Sequence, residues 1–378
     1  MKKNKSRSIK IIFGAILFVL ALPIVIGKGY LYKAIAFNFA DIDDYTIFYN
    51  RTVTGGQPAP WKLSADYGKI SVPDSLIHYL ESLQSVGLLL IKNREILVEK
   101  YWKGYSDSSL SNSFSIAKSI TGLLIGAAIR EGKIGSVNDP VSKYLPEFSA
   151  GEKSKLKIVD LLTMSSGSDW NESYANPLSE TTELYYGTDV YRTATKVNII
   201  KEPGTLHVYK SGDTQLLGLI VEKATGKSLS EYASEKLWRP LGAEHDALWS
   251  IDQPNGNEKA YCCFNSNARD FARIGQLMLD SGKINGHAVI DSAYFRNSVT
   301  ACKILDEKNT PCDYYGYQWW IVPGRPDIFY ARGILGQYII CLPRRKMIVV
   351  RLGEKRDEKV NDVPKEVFAL INWAEQIK

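Results

Sequence analysis

The order of apolar and polar positions divides the chain into three stretches. Near the front, "PDSLIHYLESLQS" sets Leu76, Ile77, Leu80 and Leu83 at helical spacing behind a Pro-Asp start, which predicts a helix. "VGLLLIKNREILVEKYW" follows. Its two apolar, β-prone runs flank the polar "KNRE", the pattern of a hairpin. Residues 115–131 then form an Ala- and Gly-containing apolar helix, buried on most sides, that stops at Gly132. From about 135 to 300 the signals are mainly helical. Asp213 is the expected cap of a helix in "DTQLLGLIVEKATG" that Gly226 ends. Ser228 and Glu231 stand at capping-box spacing, and "NARDFARIGQLMLDSG" is amphipathic. Then the period changes. "GYQWWIVP", "IFYARGILGQYIICLP" and "RKMIVVRLG" read as strands, and "VPKEVFALINWAEQIK" closes as a helix.

Strands therefore lie near both ends of the body, with helices between. A lone hairpin is not stable in water. The early one is expected to join the late strands in one antiparallel sheet carrying the first and last helices, with an all-helical lobe inserted at about 135–300. That is an α/β fold, one domain over 71–378, preceded by an irregular linker and wrap segment at 29–70 around "TGGQPAPW".

Charge changes the picture at one end only. The formal net charge is +6, but the first 40 residues hold seven cations and no acid, so the remainder carries −1. A nearly neutral body lacks the clustered positive charge of a nucleic-acid binder. Residues 11–27 are an uncharged, mostly apolar run of 17 between Lys10 and Lys28, at the short end of a membrane span. Five basic residues precede it. The expectation is a cytoplasmic segment at 1–10, an uncleaved transmembrane anchor at 11–28 and an extracytoplasmic, periplasmic body. The alternatives are a secreted protein cleaved after Ala34-Ile35-Ala36, or a buried helix. Five cysteines, Cys262, Cys263, Cys302, Cys312 and Cys341, fit no complete disulfide framework. Cys302–Cys312 is the closest pair outside the adjacent one, and free buried thiols are an equal reading. No C-x-x-C and no His/Cys cluster appears along the sequence, so no metal is expected, and His207 reads as a packing residue.

Candidate chemistry begins at "SFSIAKSITG", where Ser115 stands three residues before Lys118 at the start of the buried helix. The serine hydroxyl meets the positive end of the helix dipole, and Lys118 lies on the same face one turn on. Burial favours the neutral amine, which can take the serine proton. The same S-x-x-K spacing recurs at Ser154 and Lys157, in a polar stretch without apolar packing. Tyr209-Lys210-Ser211 precedes a helix, and Gly336-Gln337 breaks a strand where a backbone can approach a ligand closely. No G-x-S-x-G occurs, and the four histidines form no triad pattern.

Taken in order, "SFSIAKS", "LLTMSSGSDW", "VYKSGDTQLLGLIVEKATGKSLSEY", "NARDFARIGQLML", "YGYQWWI" and "RGILGQYI" resemble the penicillin-recognising serine hydrolases. These are the class C β-lactamases, D-alanyl-D-alanine peptidases, and related esterases and 6-aminohexanoate-oligomer hydrolases. The similarity spans residues 60–375 and is closest to the 6-aminohexanoate-dimer hydrolase and esterase branch. It implies a β-lactamase/transpeptidase-like fold, Ser115 as nucleophile, Lys118 as base, Tyr209 as second proton shuttle and Ser211 hydrogen-bonded near Lys118. It also implies an oxyanion hole from the backbone N–H groups of Ser115 and Gln337, and no cofactor. Ile334 stands where β-lactamases and D,D-peptidases carry a cation for the substrate carboxylate. The expected activity is acyl transfer on a small ester or amide. A D,D-peptidase, a weak β-lactamase or a catalytically silent binding module for peptidoglycan or a partner are the alternatives. Trp170 is expected to line the acyl pocket together with Ile334 and Gly336.

Overall fold

The computed structural model describes residues 13, 18 and 21–377. The expected anchor at 11–28 falls partly outside the described residues, which include 13, 18 and 21–28 of it. Among those described, no helix is long and apolar enough to cross a membrane.

The first helix, α1, runs Asp74–Ser82. The hairpin follows as β2, Ser85–Lys92, and β3, Glu95–Tyr101, after a short edge strand β1 at Lys62–Leu63. Asn93 and Arg94 both have positive φ, 51° and 68°, so the two-residue connection turns with the hand that matches strand twist. The buried helix α2 spans Ile116–Arg130, and Gly132 leaves it at φ 69°. Helix α3 is Ser211–Thr225, ended by the left-handed Gly226, and α4 is Ala268–Leu279. The late strands are β4, Trp320–Val322, β5, Arg325–Gly333, β6, Gln337–Leu342, and β7, Met347–Gly353; α5, Lys365–Gln376, closes the chain.

The seven strands form one sheet in the order β4-β5-β6-β7-β2-β3-β1. The early hairpin does join the late strands, through antiparallel pairing of β7 with β2 from Met347↔Lys92 to Leu352↔Gly87. Only the β1–β3 edge pair is parallel. The unbroken apolar run in β2 is explained by burial on both faces. Leu88 and Leu90 pack with Leu76 and Leu80 of α1 and Val367 and Leu370 of α5. Leu89 and Ile91 turn to the other side, into the core shared with Ile116 and Ile120 of α2 and Phe271 of α4. Gly275 lets α4 lie close on this face: a Cβ there would stand 2.8–2.9 Å from methyl groups of Ile348 and Ile339.

Three expectations change. The inserted region is not all helical: Ala247–Ile251 and Phe264–Ser266 form a second sheet with Tyr49–Val53 and Ser111–Asn112. These strands are two to five residues long, too short to show a period, and buried Trp249 and Phe264 meet edge to face at 5.1 Å. The segment at 29–70 is correspondingly more ordered than its composition suggests, since Arg51 pairs with Trp249 in that sheet. Finally, α3 begins two residues before Asp213. Asp213 is a buried first-turn residue, and Lys210 occupies the cap position without a side-chain cap.

Candidate active site

Ser115 stands at the N-terminal boundary of α2, where the chain arrives from the second sheet. The residue before it, Phe114, is held in the left-handed region at φ 44°, and Asn112 Oδ1 accepts its N–H at 2.9 Å. Non-glycine residues occupy that region at a cost, and such strain gathers at functional turns. Here it sets the direction from which the Ser115 hydroxyl leaves the helix.

Lys118, one turn on, is 1% exposed. Its Nζ lies 3.0 Å from Ser115 Oγ, 3.1 Å from Ser211 Oγ and 3.1 Å from the carbonyl oxygen of Tyr261. The rings of Tyr209 and Tyr261 flank it at 5.1 and 5.2 Å. Burial lowers the ammonium pKa to about 8, with Glu172 pulling the other way. Compared with an ordinary lysine this is about 3 kcal/mol of penalty on the charged form. The partners also fix the geometry of the neutral form. The Tyr261 carbonyl can only accept. The Ser211 hydroxyl already donates to Glu172 Oε1 at 2.6 Å, so it too accepts from Lys118. Two N–H groups are thereby used, and the amine lone pair is left to face Ser115.

Glu172 was not legible from the sequence. It sits in the loop "SSGSDWNESY", which has no periodicity to mark it. Its carboxylate accepts from the Ser211 backbone N–H at 2.7 Å, from Trp170 Nε1 at 2.9 Å and from the Tyr174 hydroxyl at 2.7 Å. Trp170 does not line the pocket. It is buried behind the site against Gly212, where a Cβ would fall 2.5 Å from the indole, and it holds Glu172 in place.

The Tyr209 ring lies beside Lys118 Nζ, and burial raises its phenol pKa well above the ordinary value, with the Ser115 hydroxyl pulling the other way, so the group keeps its proton. Tyr315 meets its ring edge-on at 6.0 Å and Trp320 packs on it at 5.3 Å. Gln337 opens β6 opposite Gly333. A Cβ on Gly333 would stand 2.2 Å from the Ser113 carbonyl oxygen, so this strand end abuts the turn that carries Ser115. The Gln337 side chain points inward and donates to the Gly353 carbonyl at 2.5 Å. Gly336, at φ 88°, approaches a protein group closely: its carbonyl accepts from Arg351 Nη1 at 2.8 Å.

A pocket of about 190 Å3 opens beside Ser115. Tyr185, Tyr186, Tyr261, Ile334 and Leu335 line it, with Phe39 of the wrap segment at its mouth, and no charged side chain among the described residues lines it. Its floor includes Cys262, joined to Cys263 by a disulfide. The bridge therefore lies between the adjacent cysteines, and Cys302, Cys312 and Cys341 are free thiols. Arg332, the basic side chain nearest the motif in sequence, stacks on Trp320 at 3.4 Å and donates to the Asp362 carbonyl at 2.7 Å. The second S-x-x-K pair is inert by comparison: Ser154 Oγ donates to the Gly151 carbonyl in an exposed turn.

The description of the beta-lactamase family matches residues 74–369. The chain belongs to the beta-lactamase family. It is 30% identical over 303 residues to the 6-aminohexanoate-dimer hydrolase of Paenarthrobacter ureafaciens, covering 76% of each chain. Two solved structures share the fold at low identity. A family VIII carboxylesterase superposes with a TM-score of 0.65 at 18% identity, covering 84% of this chain and 99% of that one. A penicillin binding protein from Bacillus halodurans gives 0.59 at 18% identity, covering 80% and 100%. This beta-lactamase-family protein is a serine hydrolase by kinship, and esterase- and amidase-type enzymes are among its neighbours.

Proposed function

We propose that the chain hydrolyses a small ester or amide with an uncharged acyl group by acyl transfer to Ser115. The observation that carries this reading is the placement of Lys118. Its buried Nζ is 3.0 Å from Ser115 Oγ, and its other two partners are acceptors. Neutral Lys118 takes the Ser115 proton as Oγ attacks the carbonyl carbon. The backbone N–H groups of Ser115 and Gln337 hold the tetrahedral oxyanion. Tyr209, kept protonated by burial, passes a proton to the leaving alcohol or amine. Water then attacks the acyl-enzyme with the same groups in reverse roles.

The charge-free pocket and Ile334 support an uncharged acyl group over the carboxylated ring of a penicillin or cephalosporin. The basic, apolar N-terminus supports an extracytoplasmic, membrane-attached body, checked by fractionation with and without its first 28 residues. The activity test is a panel of p-nitrophenyl esters and short anilides. A burst stoichiometric with enzyme, absent in Ser115→Ala, is expected. A wild-type chain with no turnover across the panel would overturn the reading.

A further inference from the structure

Outside the catalytic cluster, the fold gathers three groups that the sequence scatters over a hundred residues: His207, Cys302 and Cys312. Their ligand atoms, one ring nitrogen and two thiol sulfurs, all lie within 4.8 Å of one another. The absence of a His/Cys cluster from the linear sequence is thus corrected by folding. We propose that these three side chains form a zinc site, with the fourth position open to water.

The placement is built, not incidental. His207 ends the short strand Leu206–His207, which pairs in parallel with Leu305–Asp306. The loop between Cys302 and Tyr315 is closed by backbone hydrogen bonds: Cys302 N–H to the Tyr315 carbonyl at 2.9 Å, Lys303 N–H to the Cys312 carbonyl at 3.1 Å, and Cys312 N–H to the Ile304 carbonyl at 2.7 Å. Both cysteines are therefore fixed by main chain beside the histidine. The ring itself is aimed. His207 Nδ1 is 2.9 Å from the Thr163 carbonyl oxygen, which can only accept, so Nδ1 carries the proton and the Nε2 lone pair is free. Metal-binding histidines use this arrangement, with the far N–H donated to a carbonyl or carboxylate. Tyr314 and Tyr315 hold the imidazole at 5.4 and 5.3 Å.

The donor set selects the ion. Two thiolates and an imidazole suit zinc and disfavour magnesium, calcium or manganese. Tetrahedral zinc with bonds of about 2.0–2.3 Å needs ligand atoms about 3.3–3.8 Å apart, within reach of this cluster after small rotations. His207 and Cys312 are buried, and Cys302 is half-exposed, which leaves one side for entry and for a water ligand. The ion would not touch the reacting atoms. It would clamp the loop that carries Tyr314 and Tyr315, and Tyr315 packs on Tyr209. The site stands independently of the role given to Ser115.

The test uses the full chain, purified with a thiol reductant and stripped of metal with a chelator, then titrated with Co2+ and Zn2+. One equivalent of Co2+ should give the visible bands of a tetrahedral, thiolate-bound ion, and Zn2+ should displace it. Zn2+ should also raise the thermal midpoint of the wild type. His207→Gln and Cys302→Ser should lose both responses, and Cys341→Ser should keep them. The far-ultraviolet circular dichroism and cooperative thermal unfolding of each variant report that it has folded. Failure of the folded wild type to bind either ion would overturn the proposal. So would a Cys302–Cys312 disulfide, 2 Da lighter, that persists under the reductant, or binding that survives in both His207→Gln and Cys302→Ser.

Discussion

At the scale of single residues the proposed mechanism turns on one proton. Burial holds the Lys118 pKa near 8, so the amine gains its working lone pair as pH rises through that value. The acidic limb of kcat/KM for an uncharged ester should have its midpoint near pH 8. Lys118→Arg should flatten the profile and lower kcat/KM by ~1,000-fold or more, because guanidinium stays charged. Glu172 opposes the burial effect by attracting the ammonium. Replacing it with Gln removes the anion and retains a carbonyl oxygen for Ser211. The limb in Glu172→Gln should therefore move to lower pH. A limb that stays put or moves up would show that Glu172 does not set the lysine. The ordinary rate reading alone would not distinguish this from misplaced Ser211, so the pH profile is the decisive readout.

At the scale of elements, α3 is joined to the second sheet by an unusual contact. Glu222, in the last turns of α3, lies against Glu258, which pairs with Arg51 at 2.5 Å. Glu258 Oε2 is buried and has no other donor among the described residues. A protonated Glu222 supplies one, and burial with the neighbouring anion raises its pKa well above the carboxylate range. The sign follows directly. A pKa raised on folding contributes stability below the unfolded value, about 4.3, and that stability is lost as pH climbs through the folded value. Glu222→Gln keeps an N–H donor at every pH. It should match the wild type near pH 4 and exceed it near pH 9 by roughly 1–3 kcal/mol in chemical denaturation. The elements themselves were legible where a period could develop. The eight-residue β2, the 15-residue α2 and the 12-residue α4 all follow from spacing and punctuation. The strands of the second sheet did not, being too short. Asp213 has the residue type of a cap, but α3 begins at Ser211, and that start brings the Ser211 hydroxyl to Lys118.

At the scale of the whole molecule, the site is assembled from parts far apart in sequence, and legibility follows that distance. Ser115 and Lys118 share one helix face, so their spacing announces them. Ser211 and Tyr209 meet them only through packing of α3 on α2, and resemblance rather than spacing singled them out. Glu172, Tyr261 and the wrap-segment wall of the pocket come from loops and carry no pattern at all. The wall has a consequence for specificity. With Ile334 at the pocket and Arg332 already engaged by Trp320 and Asp362, no cation among the described residues lines the proposed acyl pocket. Nitrocefin should be turned over one to two orders of magnitude less efficiently than the best uncharged ester, the worth of a lost charge-assisted hydrogen bond of about 1.5–3 kcal/mol. Ile334→His should recover part of that difference and leave the ester rate nearly unchanged. Equal kcat/KM for both substrates in the wild type would refute this. The most direct measurement is intact-mass and peptide mapping after reaction with an alkyl fluorophosphonate. A single adduct on the peptide that carries Ser115, faster at pH 8.5 than at pH 6.5 and absent from Ser115→Ala, is the expected result. An adduct on another residue, or equal labelling of Ser115→Ala, would contradict a Ser115–Lys118 acyl-transfer site.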